Sequence, residues 1–301
     1  MKIAIHDSDK TRFPNYALMK LSAWHKRNGD TVEWFTPLFR YDMVYSSKVF
    51  TFTPEDPYLP DDTIKGGTGY GVFYDLPEEI DNIFPDYSIY PGIDYAIGYL
   101  TRGCIRRCKW CIVPRKEGGI RPYRKWQEVK RTDKQKIVFM DNNVLASDFG
   151  LENMVDMIGH DIKVDFNQGL DARLITPEVS EIISKLKWIQ FIRMSADTDQ
   201  MLETVLEKIE LLKKYGVKPY RIFVYVLTEN IESAERRCIA LRKAGANPFA
   251  QPYRDFSKNS EPDKRLKDFA RWVNCKAIFK TTNTFEEYNT SIRGHNTERN
   301  Q

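Results

Sequence analysis

The chain has 301 residues, with 46 lysines and arginines against 42 aspartates and glutamates, so its formal net charge is +4. Hydrophobic residues make up 42% of the chain, as in ordinary globular proteins. So mild a charge does not by itself indicate a nucleic-acid-binding protein, and no run of about eighteen apolar residues predicts a membrane span. The opening MKIAIHDSDK is typical of a strand and not of a signal peptide, so we expect a cytoplasmic protein.

Residues 1–92 have the pattern of a small α/β unit. The apolar run KIAI predicts a strand, and NYALMKLSAWHKRNGD predicts an amphipathic helix that ends at Gly29. TVEWF and DMVYSS predict two further strands, followed by a turn-rich stretch that includes GGTGYG. This order predicts a small Rossmann-like α/β domain.

From residue 93 strands and helices alternate regularly. Strands are predicted at DYAIGYLT, KIVFM, DIKVDFNQ, WIQFIRMS, PYRIFVYVL and NPFAQPY, with helices between them. Successive parallel strands need such crossovers, so we predict an α/β fold in which residues 93–280 form a full or partial (βα)6 barrel. Residues 281–301 are rich in Asn, Thr and charge, and we expect a peripheral C-terminal tail.

Three of the five cysteines lie in one stretch, GYLTRGCIRRCKWCIVPRKEGG, as Cys104, Cys108 and Cys111. They follow the first barrel strand, at the face where barrel active sites are built. Thiolates bind soft metals, so zinc and an iron–sulfur cluster are the candidates. Structural zinc needs four ligands, and no other cysteine or histidine has a partner at zinc-finger spacing. A cubane cluster on three cysteines keeps one iron open, and we favour it. The isolated Cys238 and Cys275 are expected to be buried.

Cys-x3-Cys-x2-Cys, with Trp110 directly before the last cysteine, resembles the loop of the radical S-adenosylmethionine (radical SAM) superfamily. The resemblance covers about residues 93–256. It implies a [4Fe-4S] cluster on the three cysteines, with SAM on the open iron and Trp110 among the cofactor contacts. In this family an electron from the cluster cleaves SAM, and a 5′-deoxyadenosyl radical then takes hydrogen from a substrate. It therefore implies an oxidoreductase or transferase served by a flavodoxin- or ferredoxin-type electron donor.

The resemblance also implies SAM contacts where the second, third and fourth barrel strands end. The expected residues are Asp141, Asn142, Asn143, Gln168, Arg173, Arg193, Ser195 and Asp197. Structural alternatives stay open: the asparagines and Asp197 suit helix caps, and Arg173 suits an ion pair with Asp171. After the sixth strand, Gln251 and Arg254 are candidate substrate contacts.

Six basic residues crowd the cysteines, namely Arg102, Arg106, Arg107, Lys109, Arg115 and Lys116. They compensate the charge of an anionic cluster or face solvent; alternatively, they receive an anionic substrate or a reductase.

A small α/β unit before the barrel is similar in layout to radical SAM proteins with an N-terminal cobalamin-binding domain. Those domains often present Asp-x-His-x-x-Gly, in which the His ligates cobalt. Here Asp9 replaces the His and Arg12 replaces the Gly, so we expect a degenerate domain, with Ser46-Ser47 and Gly66-Gly67 as remnants of nucleotide contacts. A cobalamin-dependent methyltransferase, or a non-catalytic zinc or iron–sulfur module on nucleic acid, stays open as an alternative. The substrate does not follow from the sequence.

Overall fold

The structure is a computed structural model that describes residues 1–255 and 261–288. It has an α/β fold in which every sheet but one two-stranded ladder is parallel, so the predicted α/β class is confirmed. Within the described residues, no helix is long and apolar enough to cross a membrane.

The N-terminal unit contains one four-stranded parallel sheet of order β2-β1-β3-β4. Its elements are β1 (Lys2–Asp7), α1 (Tyr16–Arg27), β2 (Thr31–Trp34), β3 (Met43–Ser47), β4 (Ile64–Gly66) and α2 (Glu78–Asp81). Strand β1 is one of the two central strands, and its consecutive apolar residues Ile3, Ala4 and Ile5 are buried on both faces. Helix α1 begins at Asn15, whose side chain accepts a hydrogen bond from the Leu18 N–H. The predicted strand, helix, strand, strand order is confirmed, and β4 is an addition.

The second unit begins with short elements around the cysteines. These are β5 (Ala96–Gly98), β6 (Thr101–Arg102), α3 (Val113–Lys116), β7 (Arg121–Pro122) and α4 (Trp126–Val129). Longer alternating elements follow: β8 (Lys136–Phe139), α5 (Asp148–Asp156), β9 (Lys163–Phe166), α6 (Pro177–Lys185), β10 (Ile192–Ser195), α7 (Asp199–Lys214), β11 (Ile222–Thr228), α8 (Ile231–Lys243) and β12 (Asn247–Pro252). Two further helices follow within the described residues, α9 (Lys264–Asn274) and α10 (Lys276–Thr281).

Two parallel three-stranded sheets, β5-β8-β9 and β10-β11-β12, contain all six predicted strands. A parallel bridge between Val164 on β9 and Trp188, just before β10, connects them. The Leu170 N–H also donates to the Arg193 carbonyl at 2.7 Å, which continues the contact towards the carboxyl ends. The six strands therefore follow one another in space in their chain order.

Alternation along these strands separates two faces. On β10, Ile192 and Met194 are buried in the main hydrophobic core against the helices, whereas Arg193 and Ser195 face the opposite side. Arg193 and Ser195 therefore share one side of the strand. This polar inner face, shared by neighbouring strands, lines a cavity.

The N-terminal unit packs on the inner face of the first two strands of the second unit. Met19 of α1 is fully buried in a cluster with Ile97 of β5 and with Val138 and Met140 of β8. Near them, Phe13 stacks on Tyr95 with ring centroids 6.4 Å apart. The two units are thus joined by an apolar contact of the kind found inside a domain.

Two predictions outside the site need correction. The peripheral tail is predicted from residue 281, but Phe285 and Tyr288 are buried in the main core. The Phe285 ring packs edge-to-face against Phe269 of α9, and Tyr288 packs against Phe285. The remainder of the predicted tail, residues 289–301, lies outside the described residues. Cys238 is fully buried as predicted, and burial raises the pKa of its thiol to about 12, but Cys275 is exposed between α9 and α10.

Candidate active site

The cysteine loop, defined here as residues 103–119, lies beyond the carboxyl end of β5. Strands β6 and β7 pair antiparallel and close it at its base. Inside it, the Cys104 N–H donates to the Gly118 carbonyl at 3.2 Å, and the Cys111 N–H donates to the Cys108 carbonyl at 3.0 Å. Cys104 and Cys108 are partly buried, and Cys111 is exposed. Three thiols are therefore presented by one short, closed segment.

A glycine makes the base of this loop possible. Gly103 has φ +85°, in the left-handed region, and a Cβ built on it would lie 2.1 Å from the Gly119 carbonyl oxygen. Any side chain at this position would push the two ends of the loop apart. The residue directly before Cys104 is thus restricted to glycine by both backbone conformation and space.

Glu117 fixes the start of the cysteine loop. Its carboxylate accepts hydrogen bonds from the Arg102 Nε at 3.0 Å and Nη2 at 2.9 Å, from the Gly103 N–H at 2.9 Å and from the Asn142 Nδ2 at 2.9 Å. Burial alone would raise the pKa of Glu117, but the Arg102 guanidinium holds it below its usual value. The Arg102 side chain is itself largely buried, and Asp75 of the N-terminal unit contacts it at 3.3 Å.

Asp171 fixes the middle of the loop. Its carboxylate accepts from the Arg106 Nε at 2.9 Å and from the Arg173 Nε and Nη2 at 2.7 and 3.0 Å. Although burial opposes it, the two guanidiniums hold the pKa of Asp171 below its usual range. The ion-pair alternative for Arg173 is therefore present in the structure. Its proposed SAM contact stays a prediction, since the side chain is about one-third exposed (37%).

Asp141 holds the backbone that leads into the loop. It is 1% exposed, and its carboxylate accepts from the Leu100 and Thr101 N–H groups and from the Thr101 hydroxyl, at 2.5–3.1 Å. Burial raises the pKa of this carboxyl to about 6, with the hydrogen bonds opposing the shift. These contacts place Asp141 to position the chain before Cys104, and its expected contact with SAM stays a prediction.

The two asparagines after β8 contribute differently. Asn142 donates to Glu117, as described above, and Asn143 is 2% exposed with its Nδ2 3.5 Å from the Cys104 Sγ and 3.3 Å from the Asp171 Oδ2. The Asn143 Oδ1 is buried without a hydrogen-bond partner among the described residues. Neither asparagine caps the next helix, because Ser147 caps α5. A buried amide oxygen with no partner beside a thiol suits a donor supplied by a ligand.

Within residues 1–255 and 261–288, no three His, Cys, Asp or Glu side chains gather closely enough to hold one metal ion. A tetrahedral zinc would need its sulfurs about 2.3 Å from one point. The three thiols are therefore not arranged around a single ion, and the iron–sulfur cluster stays a prediction. Although Cys111 is exposed as a residue, its thiol is partly shielded from water, and this desolvation together with the neighbouring thiols raises its pKa; a bound metal would oppose this shift.

A cavity of about 760 Å³ occupies the inner face of the six strands. Near the carboxyl ends of the strands it is lined by Asn167, Gln168, Ser195, Asp197 and Gln251. Towards the amino ends it is lined by Phe13, Asp94, Tyr95, Lys136, Val138 and Ile189. The structure therefore brings three of the predicted SAM contacts, Gln168, Ser195 and Asp197, to one cavity, together with Gln251.

Arg193 also faces this cavity but is held by protein groups. Its Nε and Nη2 donate to the two oxygens of Asp165, both at 2.8 Å, and its Nη1 donates to the Tyr225 hydroxyl at 3.2 Å. Asp165 was not predicted from the sequence. The sequence feature that could have indicated it is the pattern of β9, in which this charged residue lies between the apolar residues Val164 and Phe166. The SAM contact expected of Arg193 stays a prediction.

Asp197 accepts a hydrogen bond from the Leu227 N–H at 3.2 Å, and burial raises its pKa. The helix-cap alternative is wrong, because the side chain of Thr198 caps α7. Trp110 is partly exposed on the cysteine loop, where Lys109 lies 5.7 Å from its ring, and it does not line the cavity. Its predicted contact with a cofactor remains a prediction.

The basic residues of the loop separate into two groups. Arg102 and Arg106 are tied to carboxylates, as described above. The exposed group includes Arg107, which forms no ion pair within the described residues, Lys109, which lies 3.6 Å from Glu229, and Arg115, which lies 4.2 Å from the Phe73 ring. Arg102 and Arg106 thus stabilise the loop through ion pairs, whereas the second group is exposed at the surface.

The carboxyl edge of the N-terminal sheet does not fit a corrinoid. The Asp9 carboxylate, at the place of the cobalt-binding His, accepts from the Val49 N–H at 2.6 Å and from the Thr53 hydroxyl at 2.5 Å. Ser46 is bonded to the His6 Nδ1 at 3.0 Å and to the Tyr70 hydroxyl at 2.8 Å. These polar groups are used within the protein, and we derive no step through cobalamin.

The segment 48–75 of the N-terminal unit extends over the carboxyl ends of the six strands. On one side, Asp75 contacts Arg102 of β6, and on the other Phe52 lies 3.7 Å from the guanidinium of Arg254, which follows β12. Gly67, with φ +95°, allows the close approach of the segment to Lys48 that folds it back. The mouth beside the cysteine loop is thus spanned by the chain's own residues.

No protein-family model matches this chain, and no curated protein matches its sequence. Its function has to be inferred from its own residues.

Proposed function

We propose that the chain is a radical SAM enzyme and that its second unit is a partial (βα)6 radical SAM barrel. The observation that supports this best is the location of the cysteine loop. Three thiols lie beyond the first of six parallel strands, at the same edge as the polar ends of the later strands. Active sites of parallel α/β folds are built at this edge.

In this proposal Cys104, Cys108 and Cys111 hold a [4Fe-4S] cluster and leave one iron for SAM. The Asn143 Oδ1 is an acceptor for the SAM ammonium, and Gln168, Ser195 and Asp197 line the space for the rest of the molecule. When bound, these cofactors supply the electron that cleaves SAM and the 5′-deoxyadenosyl radical that takes hydrogen from the substrate.

The chain's own contribution is orientation and the exclusion of water. Glu117 and Asp171 hold both halves of the cysteine loop, and Asp141 holds the strand before it. The segment 48–75 covers the mouth, which limits the reaction of a radical with solvent. Carboxylates beside the loop also reduce the net positive charge that the arginines would otherwise give it.

The exposed basic residues of the loop suit an acidic electron donor of the flavodoxin or ferredoxin type. Arg107, Lys109 and Arg115 are exposed close to the thiols, and Ile105 and Ile112 are exposed beside them at 48% and 46%. A basic rim with apolar residues is complementary to an acidic partner. We propose a reducing, cytoplasmic setting, because a cluster held by thiolates needs reduced cysteines.

The test is anaerobic reconstitution of the full chain with iron and sulfide, followed by incubation with SAM and dithionite. We expect about four irons and four sulfides per chain, and formation of 5′-deoxyadenosine. The triple variant Cys104→Ala/Cys108→Ala/Cys111→Ala should lose both, whereas Cys275→Ala, which removes another exposed thiol, should keep both. One zinc per chain without sulfide, or no 5′-deoxyadenosine from a cluster-loaded protein, would overturn the proposal.

A further inference from the structure

The cavity continues past the proposed SAM contacts to the amino ends of the strands. We propose that this amino-end sector, formed by Phe13, Asp94, Tyr95, Lys136, Val138 and Ile189, binds the substrate, and that the substrate is an uncharged planar nitrogen heterocycle of the nucleobase or nucleoside class. The inference rests on the proposed function, since it assigns the space beyond SAM. It commits to a chemical class that the cysteine loop does not indicate.

Two charge pairs of the cavity wall are formed within the protein, while Asp197 lies at the carboxyl ends among the proposed SAM contacts. The Lys136 Nζ lies 2.6 Å from the Asp94 Oδ2, and the Arg193 guanidinium donates to both oxygens of Asp165 at 2.8 Å. The Arg193–Asp165 pair is largely buried, so a charged ligand that took one partner as its counter-ion would leave the other uncompensated. The Lys136–Asp94 pair is exposed, and water screens its attraction for a charged ligand. Neutral ligands require no such rearrangement.

The amino-end sector of the cavity has a flat apolar wall. Phe13 and Tyr95 stack with an interplanar angle of 29°, and Val138 and Ile189 extend the apolar wall. Aromatic faces bind planar rings by stacking.

An amide side chain supplies a complementary edge. Gln251 lines the same cavity, is not among the proposed SAM contacts, and its side chain forms no hydrogen bond within the described part of the chain. A primary amide offers both donors and an acceptor, the combination that matches the edge of a nucleobase. The Gln251 amide therefore suits an uncharged ring that carries nitrogen and oxygen atoms on its rim, whereas the Tyr225 hydroxyl is already used by the Arg193 Nη1 and the Asn167 carbonyl.

The N-terminal unit takes part in this sector through Phe13, which lies between β1 and α1. Access comes from the amino end, because Asp94 and Lys136 are 61% and 39% exposed there, while the segment 48–75 spans the opposite mouth. The N-terminal unit would thus form part of the wall of the substrate site.

Binding is measured by saturation-transfer NMR and equilibrium dialysis on the full, cluster-reconstituted chain under anaerobic conditions. The probes are adenosine, guanosine, cytidine and uridine, their 5′-monophosphates, and phenylalanine. Saturating SAM is present throughout, so that its own adenine site is filled. We expect at least one nucleoside to bind, more tightly than its monophosphate and than phenylalanine.

In Phe13→Ala and in Tyr95→Leu, affinity for that nucleoside should fall about tenfold or more, as loss of a stacking partner implies. Phe39→Ala, which removes an exposed aromatic of the same unit, should leave it unchanged. Equal affinity in the wild type and both variants, tighter binding of the charged probes, or no nucleoside binding beside SAM would overturn the inference.

Substrate-free formation of 5′-deoxyadenosine separates this inference from the proposed function. Phe39→Ala should retain it, because Phe39 is exposed and does not line the cavity. If the wild type fails to form it, the proposed function fails; if the wild type forms it and the nucleosides do not bind, only the substrate assignment fails.

Discussion

Asp171 accepts a hydrogen bond from the Arg106 Nε at 2.9 Å, and this contact joins the middle of the cysteine loop to the turn after β9. Arg106 lies between Cys104 and Cys108, and its own N–H donates to the Cys104 Sγ at 3.3 Å. The same carboxylate also holds Arg173 and Asn143. One acidic side chain thus fixes the loop relative to the strand ends that would surround a ligand.

Asp171→Asn should weaken metal retention more than folding. The amide keeps the shape of the carboxylate but loses the charge that pairs with Arg106 and Arg173. Changes around metal ligands typically reduce affinity about 10–100-fold, so we expect loss of iron to a chelator to be faster by about tenfold or more. The measurement is chelator-dependent bleaching of the reconstituted protein, with Asp161→Asn, at a surface ion pair, as the control. Equal bleaching rates in all three proteins would show that Asp171 does not hold the loop.

Gly103→Ala and Gly118→Ala form a matched pair. Both residues have positive φ, so each alanine should cost about 1–2 kcal/mol. A Cβ at Gly118 meets nothing within 4 Å, whereas one at Gly103 would lie 2.1 Å from the Gly119 carbonyl oxygen. We expect Gly118→Ala to bind iron and sulfide as the wild type does, and Gly103→Ala to lose most of both because Cys104 is displaced. If Gly103→Ala keeps a full cluster, the close approach between Gly103 and the Gly119 carbonyl oxygen is not needed for metal binding.

Glu117→Gln should destabilise the fold. Arg102 and Glu117 are both largely buried, with side chains 10% and 5% exposed, and removal of one partner of a buried pair costs about 3–5 kcal/mol. Asp75 partly compensates, so we expect about 3 kcal/mol in urea denaturation. Glu181→Gln, which breaks an exposed pair with Lys185, should cost less than about 1 kcal/mol. Equal losses in the two variants would contradict this account of the loop.

The long elements and the cysteine loop could be predicted because their signals are local. Strand β8 and helix α7 have the periodicity of their class, and the three cysteines lie within eight consecutive residues. Strands β4, β6 and β7 are two or three residues long, which is too short for any period to show. Phe285 and Tyr288 anchor a segment whose composition alone indicates a tail.

The carboxylates that hold the site in place could not be predicted, because each of them bonds to residues far apart in the chain. In the sequence, Glu117 is one acidic residue among many basic ones, and nothing marks it as a residue that fixes the loop. Its role follows only from the folded chain, in which Asn142 and Arg102 donate hydrogen bonds to its carboxylate. Arg193 was predicted as a ligand contact because it lies in the fourth barrel strand, two residues before Ser195 at its carboxyl end. Only the fold shows that Asp165 already holds it. Spacing predicts which groups can bind a cluster, whereas tertiary packing decides which groups orient them.

Lys20 should make stability depend on pH above neutrality. It is 1% exposed where the two units meet, its Nζ donates to the Asp81 carbonyl, and it lies 4.9 Å from the centre of the Tyr16 ring. Burial lowers the pKa of Lys20 from 10.5 to about 8, with Asp81 opposing the shift. Below pH 8 the lysine is charged in the folded and unfolded states, and its burial penalty is constant. Between pH 8 and 10.5 the unfolded state binds more protons, so the contribution of Lys20 to stability rises with pH.

The measurement compares urea denaturation of the wild type with that of Lys20→Met at several pH values, so that the other titrating groups cancel. Relative to the variant, the wild type should gain up to about 3 kcal/mol across that window. Lys20→Arg, which stays charged, should show no such gain relative to Lys20→Met. A wild-type-minus-methionine difference that is constant from pH 7.5 to 10, or one that falls, would mean that Lys20 keeps its proton in the folded protein, and the ion pair with Asp81 would then outweigh the burial.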